Sequence, residues 1–353
     1  MKQFSDALLA WFDKHGRKDL PWQHPRTAYR VWISEIMLQQ TQVKTVIPYF
    51  NRFIASFPDI WQLAGSEEDF VLAHWSGLGY YSRARNLIKT AKIICKDFQG
   101  EFPTDLSVLI SLPGIGPSTG AAISSQAFNQ PTPILDGNVK RVLARHFLID
   151  GWPEQAAIKQ KLLQYAHQCM PKARCRDYTQ AIMDLGALCC TTRSPRCLEC
   201  PLSETCLARQ QDTVLLYPQK KEKKVLPLKK QQFLVLYRPD RRFYLEKRPP
   251  TGIWGGLWCL PSLDPNHCPR EFIDKTYGLT GLTIEKLDPF KHSFSHFHLE
   301  LQPLALAVKP KPHHLAEPSG KWFSEAEING LGLAKPISKI IQLFFKAASC
   351  VKA

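Results

Sequence analysis

Two carboxylates are the first candidates for chemistry in this sequence, and the more unusual one is Glu35. With helical periodicity, Glu35 shares one face with Val31, Trp32, Leu38 and Gln39, three of which are large and apolar. A carboxylate on an apolar face is either desolvated or rescued by a partner, and both cost free energy. Because folding alone gives no reason to place it there, we predict a chemical role for Glu35.

Asp136 is the second carboxylate, and it stands just before a helical pattern at residues 139–146. Taken alone, it is best explained as a helix N-cap, whose side chain accepts hydrogen bonds from backbone N–H groups. Beside Glu35 it gains a second interpretation. One desolvated carboxylic acid and one carboxylate held by N–H donors form the division of roles used to cleave glycosidic bonds.

Four cysteines lie within a short stretch near the middle of the chain, at Cys190, Cys197, Cys200 and Cys206. Four thiolates at these spacings suit either a [4Fe–4S] cluster or a tetrahedral zinc ion. Structural zinc sites usually contain two C-x2-C pairs, whereas this stretch contains one. The spacing therefore predicts a metal centre without deciding which metal, and Cys189 is the spare thiol.

The string LPGIGPSTGAA at residues 112–122 places Gly114 and Gly116 in a tight turn between two helical patterns. This arrangement predicts a helix-hairpin-helix, whose turn and second helix can present free N–H groups to a DNA phosphate without reading the base sequence. The alternative is an ordinary αα-hairpin, but the basic character of the whole chain favours DNA binding.

The composition limits the classes of partner that the protein can bind. The chain has 353 residues, a formal net charge of +15 and a pI near 9.3, which predicts a polyanionic partner, either nucleic acid or an acidic membrane surface. No apolar run approaches the roughly 20 residues needed to span a bilayer. The first residues form an amphipathic pattern without a small-residue cleavage site. We therefore expect a cytoplasmic protein.

Two domains of different class are predicted, so the fold class is multidomain. Residues 1–208 show helical patterns throughout and predict an all-α domain. Residues 209–231 contain six lysines between Lys220 and Lys230 and are interpreted as an exposed basic linker. Residues 232–353 predict a small α+β domain. Its patterns are strands at residues 233–237, 243–247 and 298–301 and a helix at residues 269–276.

Longer strings carry a family resemblance over nearly the whole chain. Besides the hairpin and the four cysteines, they are LPW at 20–22, SEIMLQQT at 34–41, GLGYYSRAR at 77–85, LDGNV at 135–139, WGGLW at 254–258 and HSFSHFH at 292–298. In these strings the chain resembles the adenine DNA glycosylases of the MutY family, within the endonuclease III superfamily. The second domain looks Nudix-like.

The resemblance implies removal of adenine mispaired with 8-oxoguanine or guanine in duplex DNA. Glu35 would be the general acid that protonates adenine N7, and Asp136 would stay ionised and stabilise the oxocarbenium-like sugar. Related enzymes that also cut the backbone carry a lysine where this chain has Ser118, which cannot form an imine. The resemblance therefore implies a monofunctional glycosylase, acting as a monomer.

Further roles are implied by the same resemblance. Gln40 and Tyr80, with Leu78 nearby, would wedge into the duplex when the base is extruded. The adenine pocket would be lined by Trp22, Gln23 and Gln180. Four ligands, Cys190, Cys197, Cys200 and Cys206, would hold a [4Fe–4S] cluster, in a loop that carries Arg193 and Arg196 towards DNA phosphate.

The Nudix-like domain is expected to recognise the lesion without hydrolysing anything. A Nudix hydrolase needs a glutamate-rich helix to hold magnesium, but here the stretch at residues 270–275 reads REFIDK, with Lys275 where a carboxylate is required. The resemblance instead assigns Phe294, Ser295 and His296 to contacts with the 8-oxoguanine strand. The alternative for Ser295 and His296 is a plain strand-edge turn.

Two other functions deserve comparison. One is a glycosylase/lyase for oxidised pyrimidines, which Ser118 and the entire second domain argue against. The other is a non-catalytic DNA-binding redox sensor that uses the iron–sulfur cluster alone. The presence of both Glu35 and Asp136 argues against that second function.

Overall fold

The structure is a computed structural model that describes residues 1–221, 225–310, 320–328 and 330–350. Its contacts divide the chain into two compact units. The first comprises Met1–Gly65 and Asn86–Lys223, and the second comprises Ser66–Arg85 and Lys224–Ala353. None of the helices within the described ranges is both long enough and apolar enough to cross a membrane.

Twelve α-helices occupy residues 2–210, which confirms the helical class predicted there. They are α1 Lys2–His15, α2 Ala28–Leu38, α3 Val43–Ser56, α4 Ile60–Gly65, α5 Glu68–Trp75, α6 Ser82–Asp97, α7 Leu106–Ser111, α8 Pro117–Gln126, α9 Gly137–His146, α10 Ala156–Cys169, α11 Cys175–Asp184 and α12 Leu207–Gln210. A π-helical turn, Leu185–Cys189, continues α11, and short 3₁₀ turns lie at Pro21–Gln23, Cys197–Glu199 and Val214–Leu216.

Side-chain caps fix where the helices of the site begin. Thr27 accepts a hydrogen bond from the Arg30 backbone N–H at the start of α2, and Asp136 does the same for Val139 at the start of α9. Each bond satisfies an N–H group that has no partner within the helix. The two helices that carry the predicted carboxylates therefore have defined first turns.

A buried apolar cluster holds α1, α9, α10 and α11 together in the first unit. Phe4 and Leu8 come from α1, Leu143 from α9, Leu162 from α10 and Ile182 from α11. All five side chains are buried, and such close packing resists displacement. The cluster therefore gives rigid support to α9 and α11, which border the candidate site described below.

The predicted helix-hairpin-helix is present as α7, a turn and α8. Gly114 in the turn has φ +78°, a backbone conformation that strains residues with a side chain. Gly120 on α8 faces α7 so closely that a Cβ there would lie 3.1 Å from Ile110 and 3.3 Å from Leu106. Gly114 and Gly116 are exposed, so the turn is open to a ligand.

The second unit contains a mixed sheet and flanking helices, which confirms the predicted α+β class. Its strands are β1 Leu228–Tyr237, β2 Phe243–Lys247, β3 Trp258–Cys259, β4 Ser262–Leu263, β5 Leu279–Lys286, β6 Phe290–Ser293, β7 His298–Pro310 and β8 Gly320–Phe323. Its remaining helices are α13 Pro269–Tyr277, α14 Glu325–Ile328 and α15 Lys335–Cys350.

The sheet is built on β1 and β7, which run parallel at its centre in the order β3-β2-β1-β7-β5. Leu234 lies opposite Leu304 and Leu236 opposite Leu306, and all four side chains are buried. Of the remaining strands, β4 pairs with β1, β6 with β7 and β8 with β2. The β6–β7 pair is antiparallel, so its connecting loop is a hairpin.

The strand β1 begins at Leu228, inside the stretch expected to be a linker. The backbone of residues 228–231 pairs in parallel with residues 298–301 of β7. The start of this strand could not be predicted from the residue pattern, because Lys229 and Lys230 are exposed and interrupt the apolar run. The other domain limits, at residues 208 and 232, stay predictions.

The segment Ser66–Arg85 belongs to the second unit, which no local pattern indicates. The Asp69 carboxylate pairs with Lys247 Nζ at 2.7 Å and accepts from Trp258 Nε1 at 3.3 Å. Further along, Ser76 Oγ donates to the Leu333 carbonyl at 2.8 Å, and Arg85 Nη2 to the Pro250 carbonyl at 2.8 Å. These bonds join α5, the loop after it and the first turn of α6 to β2, β3 and the connections at Pro250 and Leu333.

Candidate active site

Glu35 lies on α2 and borders a pocket, although its neighbours on that helix, Ile33, Ser34 and Ile36, are buried. Gln126, the last residue of α8, donates from Nε2 to Glu35 Oε1 at 3.2 Å. Burial raises the pKa of Glu35 from 4.5 to about 7, and the charge of Asp136 adds to that effect, whereas the Gln126 bond opposes it. The Glu35 carboxyl can therefore carry a proton near neutral pH.

Asp136 combines the two interpretations given to it from the sequence. It is the N-cap of α9, with Oδ1 accepting from the Val139 N–H at 2.7 Å, while Oδ2 accepts from Asn138 Nδ2 at 3.1 Å. Burial raises its pKa, and these hydrogen bonds oppose that rise because they favour the ionised form. Burial is the largest influence on both pKa values, but several hydrogen bonds and the charge of Arg141 oppose it at Asp136, whereas only the Gln126 bond opposes it at Glu35.

A network behind Asp136 fixes the orientation of Asn138. Arg141 Nη2 donates to Asn138 Oδ1 at 2.9 Å and to the Gly186 carbonyl at 2.6 Å, while its Nε donates to the Cys190 carbonyl at 2.8 Å. Since Asn138 Oδ1 accepts from a guanidinium, its amide Nδ2 must point to Asp136. Arg141 therefore links the cysteine loop to the residue that holds Asp136.

Gly186 permits this close approach. A Cβ at Gly186 would lie 2.6 Å from Asn138 Cβ and 3.0 Å from its backbone, which is closer than real Cβ atoms come. The π-helical turn that contains Gly186 can therefore lie against the first turn of α9. Such turns occur often at functional sites, where they place backbone groups that a regular helix would not expose.

A pocket of about 730 Å³ in the first unit brings most of the predicted chemistry together. It is lined by the predicted residues Trp22, Glu35, Ser118, Asp136 and Gln180, together with Arg17, Asn138, Arg141 and residues that follow α2. Its volume lies within the range of pockets that accept small organic ligands. The pocket is therefore large enough for a single nucleobase with its sugar, and both carboxylates border it.

Some predicted residues lie elsewhere. Gln23 is buried and is absent from the pocket lining, because its Oε1 accepts from the Leu20 N–H at 3.2 Å and its Nε2 donates to the Arg17 carbonyl at 3.1 Å. Leu78, placed beside the duplex wedge by resemblance, is only 7% exposed. Tyr80, in contrast, is 48% exposed and accessible to a ligand.

Gln40 and Tyr80 share an unusual backbone conformation. Gln40 has φ 60° and Tyr80 has φ 47°, both in the left-handed region that residues other than glycine seldom occupy. Gln40 is exposed in the turn that follows α2, and Gly79, next to Tyr80, has φ 71°. Such strained positions concentrate at binding sites, where the surrounding structure holds them in place.

The four cysteines of the predicted metal centre line one small cavity of about 20 Å³. Arg145 Nη1 donates to Cys190 Sγ at 3.3 Å, which brings a guanidinium to the edge of the cavity. Cys189 also borders it, but its thiol donates to the Arg196 carbonyl at 3.3 Å. Four thiols around one cavity with a nearby cation fit an anionic iron–sulfur cluster.

A single metal ion is the other possibility that the cysteine spacing leaves open for this loop. Within the ranges that the structure describes, no three His, Cys, Asp or Glu side chains converge as they would around one ion. A [4Fe–4S] cluster distributes its four cysteine ligands over separate iron atoms, so it does not require such convergence. For Cys190, Cys197, Cys200 and Cys206, the [4Fe–4S] cluster stays a prediction.

In the second unit, the residues predicted to contact the 8-oxoguanine strand lie in the β6–β7 hairpin. Ser295 and His296 are exposed, while Phe294 is half-buried and stacks on Phe297 with ring centroids 4.6 Å apart. Ser295 Oγ lies 3.3 Å from His296 Nδ1. The hairpin thus presents two polar side chains next to the stacked rings of Phe294 and Phe297.

The helix α13 contains two carboxylates, Glu271 and Asp274, with Lys275 next to the second. Its Glu271 is exposed and lies 3.9 Å from Lys275 Nζ, one helical turn away. This ion pair is exposed to solvent, so it contributes little. The absence of Nudix hydrolysis stays a prediction from the sequence.

Sequence reasoning missed the residues that support the pocket from behind. Gln126 holds Glu35, Arg141 and Asn138 hold Asp136, and Asp184 binds Arg17 and Gln180. These contacts join residues far apart in the chain, so no local periodicity reveals them. One signal was available, since Asp184 falls among apolar neighbours just as Glu35 does.

Comparison with known proteins tests the resemblance inferred from the sequence. The HhH-GPD superfamily of base excision DNA repair proteins matches residues 33–168, and the NUDIX domain family matches residues 232–343. An adenine DNA glycosylase of Buchnera aphidicola subsp. Schizaphis graminum is 42% identical over 342 residues, covering 97% of this chain and 98% of that protein.

More distant proteins agree. The adenine DNA glycosylase of Homo sapiens is 31% identical over 405 residues, covering 97% of this chain and 74% of the human protein. The structure of a thermostable thymine-DNA glycosylase superposes with a TM-score of 0.54 at 27% identity, covering 60% of this chain and 97% of that one. The chain therefore belongs to the adenine DNA glycosylase family, within the HhH-GPD superfamily of base excision DNA repair proteins.

Proposed function

We propose that the protein hydrolyses the N-glycosidic bond of adenine mispaired with 8-oxoguanine or guanine in duplex DNA. The observation that carries the proposal is the pairing of Glu35 and Asp136 at one base-sized pocket, with a raised pKa at Glu35 and hydrogen-bond donors around Asp136. Family membership supports adenine as the base. We also infer that the protein acts as a monomer in the compartment that holds the DNA.

Catalysis begins when the adenine nucleotide leaves the base stack and enters the pocket. The protonated Glu35 carboxyl then donates its proton to adenine N7. The base can therefore take the electrons of the breaking C1′–N9 bond and leave as neutral adenine. The ionised Asp136 stabilises the positive charge that develops on the sugar. Water adds to C1′, and its released proton restores Glu35 to the acid form.

Two features would hold the duplex during extrusion. The exposed turn at Gly114 and Gly116 offers backbone N–H groups to a phosphate at the start of α8. Gln40 and Tyr80 would enter the duplex, and stacking by the Tyr80 ring would offset part of the cost of unstacking the bases. Leu78 would not enter the duplex itself, since its side chain is buried, and would instead support the loop that carries Tyr80.

A [4Fe–4S] cluster would be held by Cys190, Cys197, Cys200 and Cys206. When bound, the cluster supplies a structural crosslink for the loop and a site of redox chemistry. Arg141 donates to the Cys190 carbonyl and to Asn138, so an ordered cysteine loop helps to hold Asp136, while exposed Arg193 and Arg196 face solvent where a phosphate could bind.

We expect excision without strand cleavage, because Ser118 borders the pocket where a lyase would need an amine. A duplex with adenine opposite 8-oxoguanine is incubated with excess enzyme and analysed with and without alkali. Strand breaks only after alkali support the proposal. Breaks without alkali would indicate a lyase, and a duplex that stays intact even after alkali would contradict glycosylase activity.

Removing both polar side chains of the β6–β7 hairpin, Ser295→Ala with His296→Ala, should reduce discrimination for 8-oxoguanine over guanine. Each lost hydrogen bond is worth about 1 kcal/mol, so the ratio of the two excision rates should fall roughly 5- to 30-fold. The double variant Ser293→Ala with His298→Ala, in the flanking strands, serves as the control. Equal losses on both mispairs would count against a lesion-reading hairpin.

A further inference from the structure

The connection between β2 and β3 contains a buried tryptophan in an uncommon backbone conformation. Trp254 has φ 55° and is only 7% exposed, and Gly256, two residues later, has φ 79°. A bulky residue seldom adopts the left-handed conformation, and such strain concentrates at functional sites. The surrounding contacts must hold Trp254 in place, although no step of the proposed reaction uses it.

On one side, Trp254 contacts the β6–β7 hairpin, which is predicted to bind the 8-oxoguanine strand. The centroid of its ring lies 5.8 Å from that of Phe294 and 6.2 Å from that of His292. Phe294 comes directly before Ser295 in this hairpin. Because closely packed side chains transmit displacement, the position of the hairpin bears on the Trp254 ring.

On the other side, the same connection holds the first turn of α6. Arg85 donates from Nη1 to the Gly255 carbonyl, and from Nη2 to the Pro250 carbonyl at 2.8 Å. A Cβ at Gly256 would lie 3.0 Å from Arg85 Nη1, so a glycine there lets the guanidinium reach the backbone. Two carbonyls beside Trp254 thus fix Arg85.

The loop that precedes α6 carries Tyr80 and needs support. Gly77, Gly79 and Tyr80 have φ values of 99°, 71° and 47°. Arg83, also in the first turn of α6, donates from Nη2 to the Gly79 carbonyl at 3.1 Å, and its guanidinium lies 5.7 Å from the centre of the Tyr80 ring. The conformation of this loop therefore depends on where the first turn of α6 is held, and Arg85 holds that turn.

We infer that Trp254 and Arg85 are positioning residues that connect the β6–β7 hairpin to the loop of Tyr80. This inference rests on the proposed function. Contact with the lesion strand fixes Phe294 against Trp254, the β2–β3 connection holds Arg85, and Arg85 keeps Tyr80 in the conformation that enters the duplex. Since a ligand shifts a conformational equilibrium only through contacts that differ between the two states, recognition of 8-oxoguanine then favours extrusion of the adenine opposite it.

A purely structural role for Arg85 makes a different prediction. If Arg85 only stabilised the fold, its replacement would lower excision opposite 8-oxoguanine and opposite guanine by the same factor. A connecting role lowers the ratio of the two rates, although the hairpin itself is unchanged. Arg85→Lys separates the two roles, because lysine keeps the positive charge but lacks the planar fork that meets both carbonyls.

The test measures single-turnover excision of adenine opposite 8-oxoguanine and opposite guanine by the full-length protein. For Arg85→Lys we expect the ratio of the two rates to fall about fivefold, the factor for one lost hydrogen bond. Arg176→Lys is the matched control, because Arg176 also donates to two backbone carbonyls, those of Gln126 and Ala127. It should keep the wild-type ratio, and an equal fall in both variants would overturn the inference.

A combined variant distinguishes a connection from two independent effects. In a protein that already carries Ser295→Ala with His296→Ala, adding Arg85→Lys should change the ratio by less than about twofold, because the two changes interrupt one connection. Independent effects would multiply to the full further factor. That result, or an unchanged ratio in Arg85→Lys alone, would contradict the connecting role. If Arg85→Lys does not fold, Trp254→Phe takes its place, since its smaller ring withdraws from Phe294 and should lower the same ratio.

A fluorescence measurement gives a readout that does not require excision. In the Glu35→Gln background, 2-aminopurine placed beside the mispaired adenine reports unstacking when the protein binds. We expect a larger rise in fluorescence opposite 8-oxoguanine than opposite guanine, and a smaller difference once Arg85→Lys is added. An undiminished difference would count against the inference. A wild-type protein that excises no adenine would instead refute the proposed function, so the two failures are distinguishable.

Discussion

Replacing Glu35 with glutamine is expected to lower the single-turnover rate of adenine excision by about 10²- to 10⁴-fold, the usual contribution of a general acid. Glutamine has nearly the same shape and can still meet Gln126, but it has no proton to give to the base. Binding to the mispaired duplex should stay close to wild type, because Glu35 faces the pocket interior. Excision is measured with excess enzyme and binding by fluorescence anisotropy.

The same variant should be more stable than the wild type above neutral pH. Burial raises the folded-state pKa of Glu35 to about 7, so the folded state holds its proton more tightly than the unfolded chain does. The free energy of unfolding therefore falls as pH rises from about 4.5 to 7, by at most about 3 kcal/mol. Glu35→Gln removes this loss. Glu101→Gln, an exposed carboxylate, is the control and should change neither stability nor rate.

If the Glu35→Gln protein loses DNA binding and stability together, Glu35 is a structural residue and the assigned role is wrong. If it gains stability and loses only excision, the carboxylate is placed for chemistry at the expense of folding. The thermal unfolding midpoint at pH 8 separates these outcomes, because a gain in stability has no explanation in a purely structural role.

Replacing Asp136 with asparagine is expected to lower excision about 10²- to 10³-fold, as for other groups that stabilise charge in a transition state. Asparagine keeps an oxygen that can accept from the Val139 N–H, so the cap of α9 is retained. What it removes is the negative charge opposite the sugar cation, together with the oxygen that accepts from Asn138 Nδ2. The rate is measured as before, and stability by urea unfolding.

Asp59→Asn supplies the matched control for this prediction, because Asp59 caps another helix by accepting from the Gln62 N–H at 2.9 Å. Exchange at a cap alone should cost about 1 kcal/mol or less and leave the rate unchanged. Asp136→Asn should show a similar small loss of stability with a large loss of rate. Equal rates in the two variants would reduce Asp136 to a helix cap.

The sequence predicted the class of both units and the residues whose types are rare in their local setting. Glu35 stood out because a carboxylate interrupts an apolar face, and the four cysteines because of their spacing. The hairpin was visible because its glycines are local to one turn. Each of these signals is short-range, because all the residues that form it lie close together in the sequence.

The supporting residues could not be predicted in the same way. Asp184 meets Arg17 across 167 positions, and Gln126 meets Glu35 across 91, so the contacts exist only after the helices pack. Resemblance also assigned Gln23 to the pocket, whereas its amide is committed to backbone groups. Side-chain partners depend on tertiary packing, which periodicity does not encode.

The pH dependence of single-turnover adenine excision tests the central claim most directly, that Glu35 acts as a proton-carrying acid beside Asp136. With saturating enzyme on a duplex containing adenine opposite 8-oxoguanine, the rate should be highest below pH 7. Above a pKa of about 7 it should fall about tenfold per pH unit, as Glu35 loses its proton. A rate that stays constant from pH 6 to 9, with the duplex bound throughout, would contradict the account.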